Sequence, residues 1–213
     1  MTPELRKEAS ELILHKRGIR VNVQLHVIES DEEIKLRSAH ELEQRLLVLW
    51  VIFHATPSWR KQLSYQYLEQ HDLLSALSQE EADFFLDIDD DLTRVRTSRY
   101  AFTFLAWCGG LLDELHLNQK PISLESTLHY FPSLQQAPKI ADVINVRQKS
   151  QIMDWSDLLY RLHWAVRHAA LTNKPSPGNI NAEMVKEWHR AVNWMCRYDD
   201  EDDWDSVSTE TTA

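Results

Sequence analysis

The segment from Tyr100 to Leu112 reads YAFTFLAWCGGLL and contains no charged residue. Its large apolar side chains fall on every side of a helix. Such a helix is enclosed by other elements, because a solvent-facing helix carries a polar side. We therefore expect this segment to be the central, buried helix of the fold. The Gly109-Gly110 pair within it either ends the helix early or lets a neighbouring segment approach closely.

The composition of the whole chain agrees with a helical fold. Its 213 residues are 43% hydrophobic and 26% charged, an ordinary balance for a globular protein. Four glycines and seven prolines are too few for a turn-rich β-sandwich or barrel. No linker is long enough to divide the chain. We expect a mainly α fold with one compact multi-helix domain over residues 1–213.

The N-terminal segment predicts one helix and one extended stretch. Thr2 followed by Pro3 is typical of a helix start, and Gly18 is a typical helix end. Apolar and polar residues then alternate over residues 19–27, which is the period of a β-strand. Because a lone strand leaves its backbone groups unpaired, this stretch is either part of a small sheet or an extended arm.

Two capping-box patterns predict helix starts in the first half of the chain. Ser30 with Glu33 is expected to open a long helix that ends at Pro57. Ser78 with Glu81 repeats the pattern before a second helix. Residues 118–150 are expected to form short helices and loops, because they contain three prolines: Pro121, Pro132 and Pro138.

Two further helices are predicted near the C-terminus. Asp154 or Ser156 can cap a helix that runs to about Thr172. The break at residues 174–178 reads KPSPG, after which Asn181 caps a last helix. An acidic tail follows from about residue 198 to 213.

The charge balance restricts the kinds of partner. Lysine and arginine total 23 against 33 aspartates and glutamates, a formal net charge of -10. Such a surface repels phosphate backbones and anionic lipids, so we expect no nucleic-acid binding and no membrane binding. The N-terminus shows no signal peptide, and the longest uncharged run is shorter than the ~20 residues of a spanning helix. A cytoplasmic location and, at most, a basic protein partner are expected.

Polar residues form a stripe on the predicted helix around residue 160. Its members recur at helical spacing: Asp154, Asp157, Arg161, Trp164 and His168. An aspartate four residues before an arginine can pair with it along a helix. The stripe is either the floor of a polar pocket in which His168 titrates, or a structural network that braces the helices.

The chain lacks the common metal and nucleotide motifs. His163 and His168 are five residues apart, which places them ~140° apart on a helix and unable to share an ion. The acidic turn at residues 87–91 lacks the glycine and the distal glutamate of an EF-hand. No GxSxG, GxxxxGKS or GxGxxG occurs. Neither a metal nor a cofactor is expected. Cys108 and Cys196 lie in apolar patterns and are interpreted as buried free thiols.

Exposed acidic and aromatic residues are candidates for contact with a protein partner. Trp59 lies next to a break in the helical pattern, where it could anchor an interface. Acidic side chains could steer a basic partner during encounter. The acidic candidates are Asp89, Asp90, Asp91, Asp199 and Asp200.

Four stretches, together with an N-terminal piece from Arg6 to Gly18, resemble a bacterial family described as domain of unknown function 4272. Two are fairly specific in combination: Asp157 to Ala165 (DLLYRLHWA) and Trp204 to Thr211 (WDSVSTET). Leu36 to Arg45 (LRSAHELEQR) and Glu187 to Trp194 (EWHRAVNW) are also similar. The resemblance implies a single helical domain with an ordered C-terminal tail. It implies no reaction, because the family has no assigned one.

The tail carries its own prediction. It is strongly charged, yet it contains Trp204 and carries the family-like ending. We expect Trp204 to dock on the helices, and Asp205 or the hydroxyls of Thr209 and Thr211 to meet a cationic or backbone donor. Arg161 and Arg190 are the cationic candidates, since both lie in motif stretches beside apolar stripes.

Two functions follow from this sequence. The first is a non-catalytic protein-binding module, specifically an immunity protein that neutralises a basic bacterial toxin domain. The second is an enzyme or small-ligand-binding protein that uses Asp157, Arg161 and His168. The absence of a catalytic motif favours the first.

Overall fold

The structure is a computed structural model that describes residues 1–118, 120–131, 133–134, 136 and 140–212. Within these residues it is all-helical and contains no β-strand, which confirms the predicted fold class. The helices are α1 (Pro3–Lys16), α2 (Ala39–Phe53), α3 (Trp59–Gln70), α4 (Gln79–Leu86), α5 (Leu92–Cys108), α6 (Glu125–Leu128), α7 (Lys149–Leu171) and α8 (Ala182–Met195). Short 3₁₀ turns connect several of them, including Tyr198–Asp200 and Trp204–Ser206 in the tail.

Helix α5 is the central helix, as its apolar sequence predicts. Every residue from 101 to 108 is buried, and the helix packs against α2 and α8. Helix α8 also packs against α7, and α7 packs against α1. The core therefore lies around α5 and is closed on one side by α2 and on the other by α8 and α7.

The Gly109-Gly110 pair both ends α5 and admits a close neighbour. Gly109 is the C-cap residue, and Gly110 has a φ of +73°, which a side chain disfavours. The Asn145 amide donates to the Gly109 carbonyl at 2.8 Å. A Cβ atom on Gly110 would lie 2.8 Å from the Asn145 carbonyl oxygen, so only glycine fits there.

The helix α1 begins and ends where the sequence predicts. The Thr2 hydroxyl accepts from the Leu5 amide, and Gly18 has a φ of +70° after the last turn. Residues 19–30 form an arm without a strand, with a turn in which the Leu25 amide donates to the Asn22 carbonyl, so of the two alternatives for this stretch the arm is correct. We call this segment the extended arm. The reason is that side chains, and not a neighbouring strand, satisfy the arm: Lys7 Nζ donates to the carbonyls of Val23 and Leu25 at 2.8 Å.

The predicted start of α2 is wrong by about eight residues. Ser30 and Glu33 do bond to each other, but they close only a turn. The capping box that opens α2 is formed by Ser38 and Glu41. Tertiary contacts hold the intervening chain in a non-helical form, since the Arg37 amide donates to the Met195 carbonyl at 3.0 Å. Helix α2 ends at Phe53, four residues before the predicted end at Pro57.

Of the remaining predicted helix starts, those of α4 and α8 are correct and that of α7 is wrong. Ser78 and Glu81 form the expected capping box of α4, and Asn181 caps α8. Helix α7 begins at Lys149 after Gln148, so neither Asp154 nor Ser156 caps it, and both lie inside the helix. Pro132 and Pro138, which predicted loops, lie outside the described residues.

Both cysteines are buried and unoxidised, as interpreted from the sequence. Burial raises the pKa of Cys108 far above its ordinary value and that of Cys196 to about 12. No described helix is both long and apolar enough to span a bilayer.

Candidate functional site

Asp157 and Arg161 form a buried ion pair one turn apart on α7. Arg161 Nε donates to Asp157 Oδ2, and Arg161 NH2 donates to Asp157 Oδ1, both at 2.8 Å. Asp157 is 0% exposed and Arg161 is 1% exposed. Arg161 NH2 also donates to the His26 carbonyl at 2.9 Å, so the pair fastens the extended arm to α7. This geometry is that of a structural brace, with no open face for a substrate.

Asp154 serves a separate contact. Its Oδ1 accepts from Arg6 Nε on α1 at 2.8 Å, and Arg6 NH1 lies 2.9 Å from Asp31 Oδ1 in the turn that follows the arm. Arg6 is itself 1% exposed, so two carboxylates neutralise one buried guanidinium. Asp154 therefore joins α7 to α1, and Arg6 in turn joins α1 to the turn at Asp31.

Trp164 and His168 lie together at the far end of α7. Their rings stack with centroids 4.9 Å apart and an interplanar angle of 12°. Arg20 NH1 lies 3.1 Å from His168 Nε2. The described contacts do not join His168 to Asp157 or Arg161. The predicted stripe thus divides into three local environments, and they do not form one pocket floor.

The tail docks on the helical body through Trp204. This side chain is 4% exposed, and its ring meets the Trp194 ring edge-on with centroids 5.8 Å apart. The Arg45 guanidinium carbon lies 4.8 Å from the Trp204 ring centroid, and that of Arg190 lies 5.9 Å away. Arg190 NH2 also pairs with Glu187 Oε1 at 3.3 Å. Its contact with the tail is the one with the ring of Trp204.

Asp205 meets a backbone donor and Thr211 a cationic donor, as predicted, but the cation is neither Arg161 nor Arg190. Asp205 Oδ2 accepts from the Glu80 backbone amide, in the first turn of α4, at 3.0 Å. The Thr211 hydroxyl accepts from Arg167 NH1 at 3.0 Å, and not from Arg161 or Arg190. Thr209 is half-buried, and its hydroxyl forms no hydrogen bond with the described residues.

An arginine cluster, which was not among the predicted site residues, holds the start of the tail. Arg37 donates to the carbonyls of Trp194 and Glu201 at 2.9 and 2.7 Å and pairs with Asp202. Arg197 NH2 donates to both Glu41 carboxylate oxygens at 2.9 Å. The signal was available, because Arg37 and Glu41 lie in the family-like stretch Leu36 to Arg45.

Arg45, in the same stretch, forms a second buried ion pair. Its NH1 donates to Glu81 Oε1 at 2.6 Å, and its NH2 donates to the Ala76 carbonyl. Glu81 is 1% exposed and also accepts from the Ser78 amide as part of the α4 capping box. Three of the family-like stretches, those on α2, on α8 and in the tail, therefore meet beside α4.

A buried histidine pair was also missed. His163 Nδ1 and His189 Nδ1 lie 2.9 Å apart between α7 and α8. Burial lowers the pKa of His163 to about 4 and that of His189 to about 3, so both rings are neutral at pH 7. Within the described residues, no three histidine, cysteine or acidic side chains are arranged to hold a metal ion.

Four of the six partner-contact candidates lie in or beside α3: Trp59, Asp89, Asp90 and Asp91. The ammonium of Lys61 donates to the carbonyls of Asp87 and Asp89, which holds the acidic turn against one flank of α3. Asp91 caps α5 by accepting from the Arg94 amide at 2.9 Å. The side chains of Asp89 and Asp90 are exposed. Asp199 and Asp200 are also exposed, on the turn after α8.

An apolar groove runs along the other flank of α3. It has a volume of about 710 Å³. The described residues that line it include Trp50, Trp59, Leu63, Tyr67, Leu128 and Phe131. Trp59 is 68% exposed and Leu63 is 52% exposed at its edge. Ile88 in the acidic turn is 87% exposed. We call the groove, α3 and the acidic turn at residues 87–91 together the α3 surface.

Comparison with known proteins places the chain in one family. The family model described as "Domain of unknown function (DUF4272)" matches residues 6–207. No curated protein and no solved structure matches the chain.

Proposed function

This chain belongs to the family of the domain of unknown function DUF4272, and from that premise we propose that it is a non-catalytic protein-binding module. The observation that carries the proposal is the α3 surface. It combines a large apolar groove, exposed apolar side chains and exposed carboxylates around one short helix. Monomeric proteins rarely leave such apolar side chains together at the surface unless a partner covers them.

The floor of the groove also lacks one hydrogen bond. The Tyr67 hydroxyl is buried and has no partner among the described residues. Burial raises the pKa of Tyr67 to about 12, so the hydroxyl keeps its proton and needs an acceptor. A backbone carbonyl of a bound segment would supply that acceptor. This requirement favours a polypeptide over a purely apolar occupant.

The acidic turn favours a basic partner, while the described lining of the groove itself contains Arg60 and no carboxylate. The carboxylates of Asp89 and Asp90 are exposed, while Lys61 contacts only the backbone carbonyls of the turn. The whole chain carries a formal net charge of -10. A basic surface would therefore be attracted over long range, and the apolar side chains would then anchor it.

The specific partner that we propose is a basic toxin domain, for which this chain would be the immunity protein. Acidic proteins that mask a basic active surface use this same combination of steering charge and apolar anchors. The enzyme alternative receives less support, because Asp157 and Arg161 pair with each other inside the protein. Arg161 NH1 has no hydrogen-bond partner among the described residues and lies 3.8 Å from Glu11 Oε1. His168, the third residue of the proposed enzyme site, is not in contact with Asp157 or Arg161.

Association kinetics test the proposal. The purified full chain is mixed with each purified basic protein encoded beside its gene, and rate constants are measured at low and high salt. We expect an on-rate that falls as salt screens the carboxylates. Asp89→Asn with Asp90→Asn should lower the on-rate at low salt. The matched control is Asp199→Asn with Asp200→Asn, on a different exposed turn.

Two results would oppose the proposal. A salt-independent on-rate would show that the acidic turn does not attract the partner electrostatically. No binding to any neighbouring gene product would remove the immunity interpretation.

A further inference from the structure

A small cavity lies away from the α3 surface, between the extended arm, α7, α8 and the end of the tail. Its volume is about 210 Å³. Drug-sized ligands occupy roughly 300–1,000 Å³, so this cavity is suited to a group of a few heavy atoms. The lining residues used below are Glu29, Ser156, Tyr160, His189, Asn193 and Glu210, together with Tyr198.

Three buried polar side chains of the lining have hydrogen-bonding capacity that the described residues leave unused. Ser156 is 8% exposed, and its hydroxyl has no partner among them. Asn193 is 7% exposed and donates its Nδ2 to the Ser208 carbonyl, which leaves its Oδ1. His189 is 2% exposed and uses Nδ1 for His163, which leaves its Nε2. These three atoms are not among the atoms that are sealed from solvent without a partner, so they are accessible acceptors that a polar occupant of the cavity can use.

The outer part of the cavity is negative and aromatic. Glu29 and Glu210 are exposed and carry carboxylates, and Tyr160 and Tyr198 contribute rings. The pKa of Tyr198 is raised by burial and then by Asp199, Glu29, Tyr160 and Glu210, which is the effect of a negative potential. The described lining contains no lysine or arginine.

Arg161 and Arg167 are nearby cations, and Arg167 adds to the effects of burial and His163 in lowering the pKa of His189. The Arg161 guanidinium carbon lies 5.7 Å from the centre of the Tyr160 ring. Its charge is balanced by the bidentate contact with Asp157. The carboxylates at the mouth therefore lack a neutralising partner in the cavity itself.

We propose that this cavity binds an alkylammonium group, supplied either by a small free amine or by a lysine side chain. An ammonium has three N–H donors, and Ser156 Oγ, Asn193 Oδ1 and His189 Nε2 are three acceptors. The two tyrosine rings attract a cation through their faces, and the two carboxylates select a cation over a neutral alcohol. This site is independent of the α3 surface.

His163 and His189 can accommodate such a ligand through the choice of the ring nitrogen that carries the proton. For His189 Nε2 to accept, the ring proton must lie on Nδ1, where it donates to His163 Nδ1. His163 then carries its own proton on Nε2. Both rings stay neutral in this arrangement, so the pair offers an acceptor without placing a positive charge beside the ammonium.

The test is an NMR titration of the full chain labelled with ¹³C-histidine. It is titrated at neutral pH with n-butylammonium chloride, 1-butanol or sodium chloride. We expect saturable shifts of the His189 and His163 ring signals with butylammonium, and no comparable saturation with the other two. Saturation by 1-butanol with equal affinity, or an equal shift with sodium chloride, would overturn the ammonium site. So would the absence of any saturable shift.

Variants separate the charge from the acceptors. Glu29→Gln with Glu210→Gln changes two exposed side chains and should weaken butylammonium binding by roughly fivefold or more. Ser156→Ala should also weaken it, since one acceptor is lost. Glu8→Gln with Glu32→Gln, two exposed acids elsewhere, is the matched control. Unchanged affinity in the Glu29 and Glu210 double variant would overturn the proposal.

A capped lysine, Nα-acetyl-lysine N-methylamide, distinguishes the two sources of the ammonium. Affinity comparable to that of butylammonium would show that the mouth admits a lysine carried on a peptide chain. Binding of butylammonium alone would assign the site to a small free amine.

Discussion

Arg45 holds its guanidinium carbon 4.8 Å from the centre of the Trp204 ring while its NH1 donates to Glu81 at 2.6 Å. One side chain on α2 thus contacts both the tail and α4. Asp205, the next tail residue, accepts from the first turn of α4. The tail therefore closes over the junction of α2, α4 and α8 and contributes to the fold.

Replacing Trp204 with alanine is expected to destabilise the protein strongly. The side chain is 4% exposed, and truncating a buried tryptophan typically costs about 3–5 kcal/mol in the free energy of unfolding. Urea unfolding followed by circular dichroism measures this. Thr212→Ala, at an exposed tail position, is the control and should change the free energy of unfolding little.

Truncation of the chain after Cys196 should lower the melting temperature further than Trp204→Ala does. An unchanged melting temperature would mean that the tail does not hold the helices together.

Asp157→Asn is expected to destabilise the protein because it leaves Arg161 charged and buried. Breaking one side of a buried ion pair costs about 3–5 kcal/mol. Since Arg161 also holds the His26 carbonyl, the amides of the extended arm should exchange faster with deuterium. Hydrogen exchange and urea unfolding measure the two effects. The double variant Asp157→Leu with Arg161→Met should recover part of the stability.

A surface ion pair provides the contrast to this prediction. Arg96 and Glu183 are partly exposed, and Arg96→Met should cost at most about 1 kcal/mol. If Asp157→Asn lowered the free energy of unfolding no more than Arg96→Met, the interpretation of Asp157 and Arg161 as a structural brace would be wrong.

The sequence predicts this fold well where one local signal decides the structure. The apolar segment around Phe104 requires enclosure, and the capping box of Ser78 with Glu81 defines the start of α4. Ser30 with Glu33 has the same pattern, but the Arg37 amide bonds to Met195 on a distant helix, so no helix forms there. Tertiary contacts override a local pattern of this kind.

The candidate sites were less predictable for the same reason. The spacing within α7 pairs Asp157 with Arg161, and this needs only one helix. His163 meets His189 across two helices, so no spacing within one helix could reveal the pair. The groove beside α3 is likewise lined by residues from distant parts of the chain, such as Tyr67 and Phe131, so no local pattern could reveal it.

Acidification is expected to weaken the fold through the histidine pair. The pKa values of His163 and His189 are lowered to about 4 and about 3, while an unfolded histidine titrates near 6.5. The unfolded chain therefore binds more protons as pH falls from about 6.5 toward 4. Stability is fully present above pH 6.5 and is lost through this window, by on the order of 1–3 kcal/mol. Urea unfolding at pH 7, 6 and 5 measures the slope.

Variants isolate the pair from other titrating groups. His189→Gln should flatten the slope, whereas His40→Gln, at an exposed position, should leave it unchanged. The raised pKa of Glu187, caused by burial, acts in the opposite direction, so the difference between variants is the relevant quantity. An identical slope in His189→Gln would contradict the assignment.

Trp59→Ala is expected to separate partner binding from folding. Trp59 is 68% exposed, so its loss should change the free energy of unfolding by no more than about 0.5 kcal/mol. If the α3 surface binds a protein, the same change should weaken that complex about tenfold or more, mainly through a faster off-rate. Leu171→Ala is the matched control, because Leu171 is 80% exposed at the end of α7. Equal effects of the two variants on binding would remove Trp59 as an anchor.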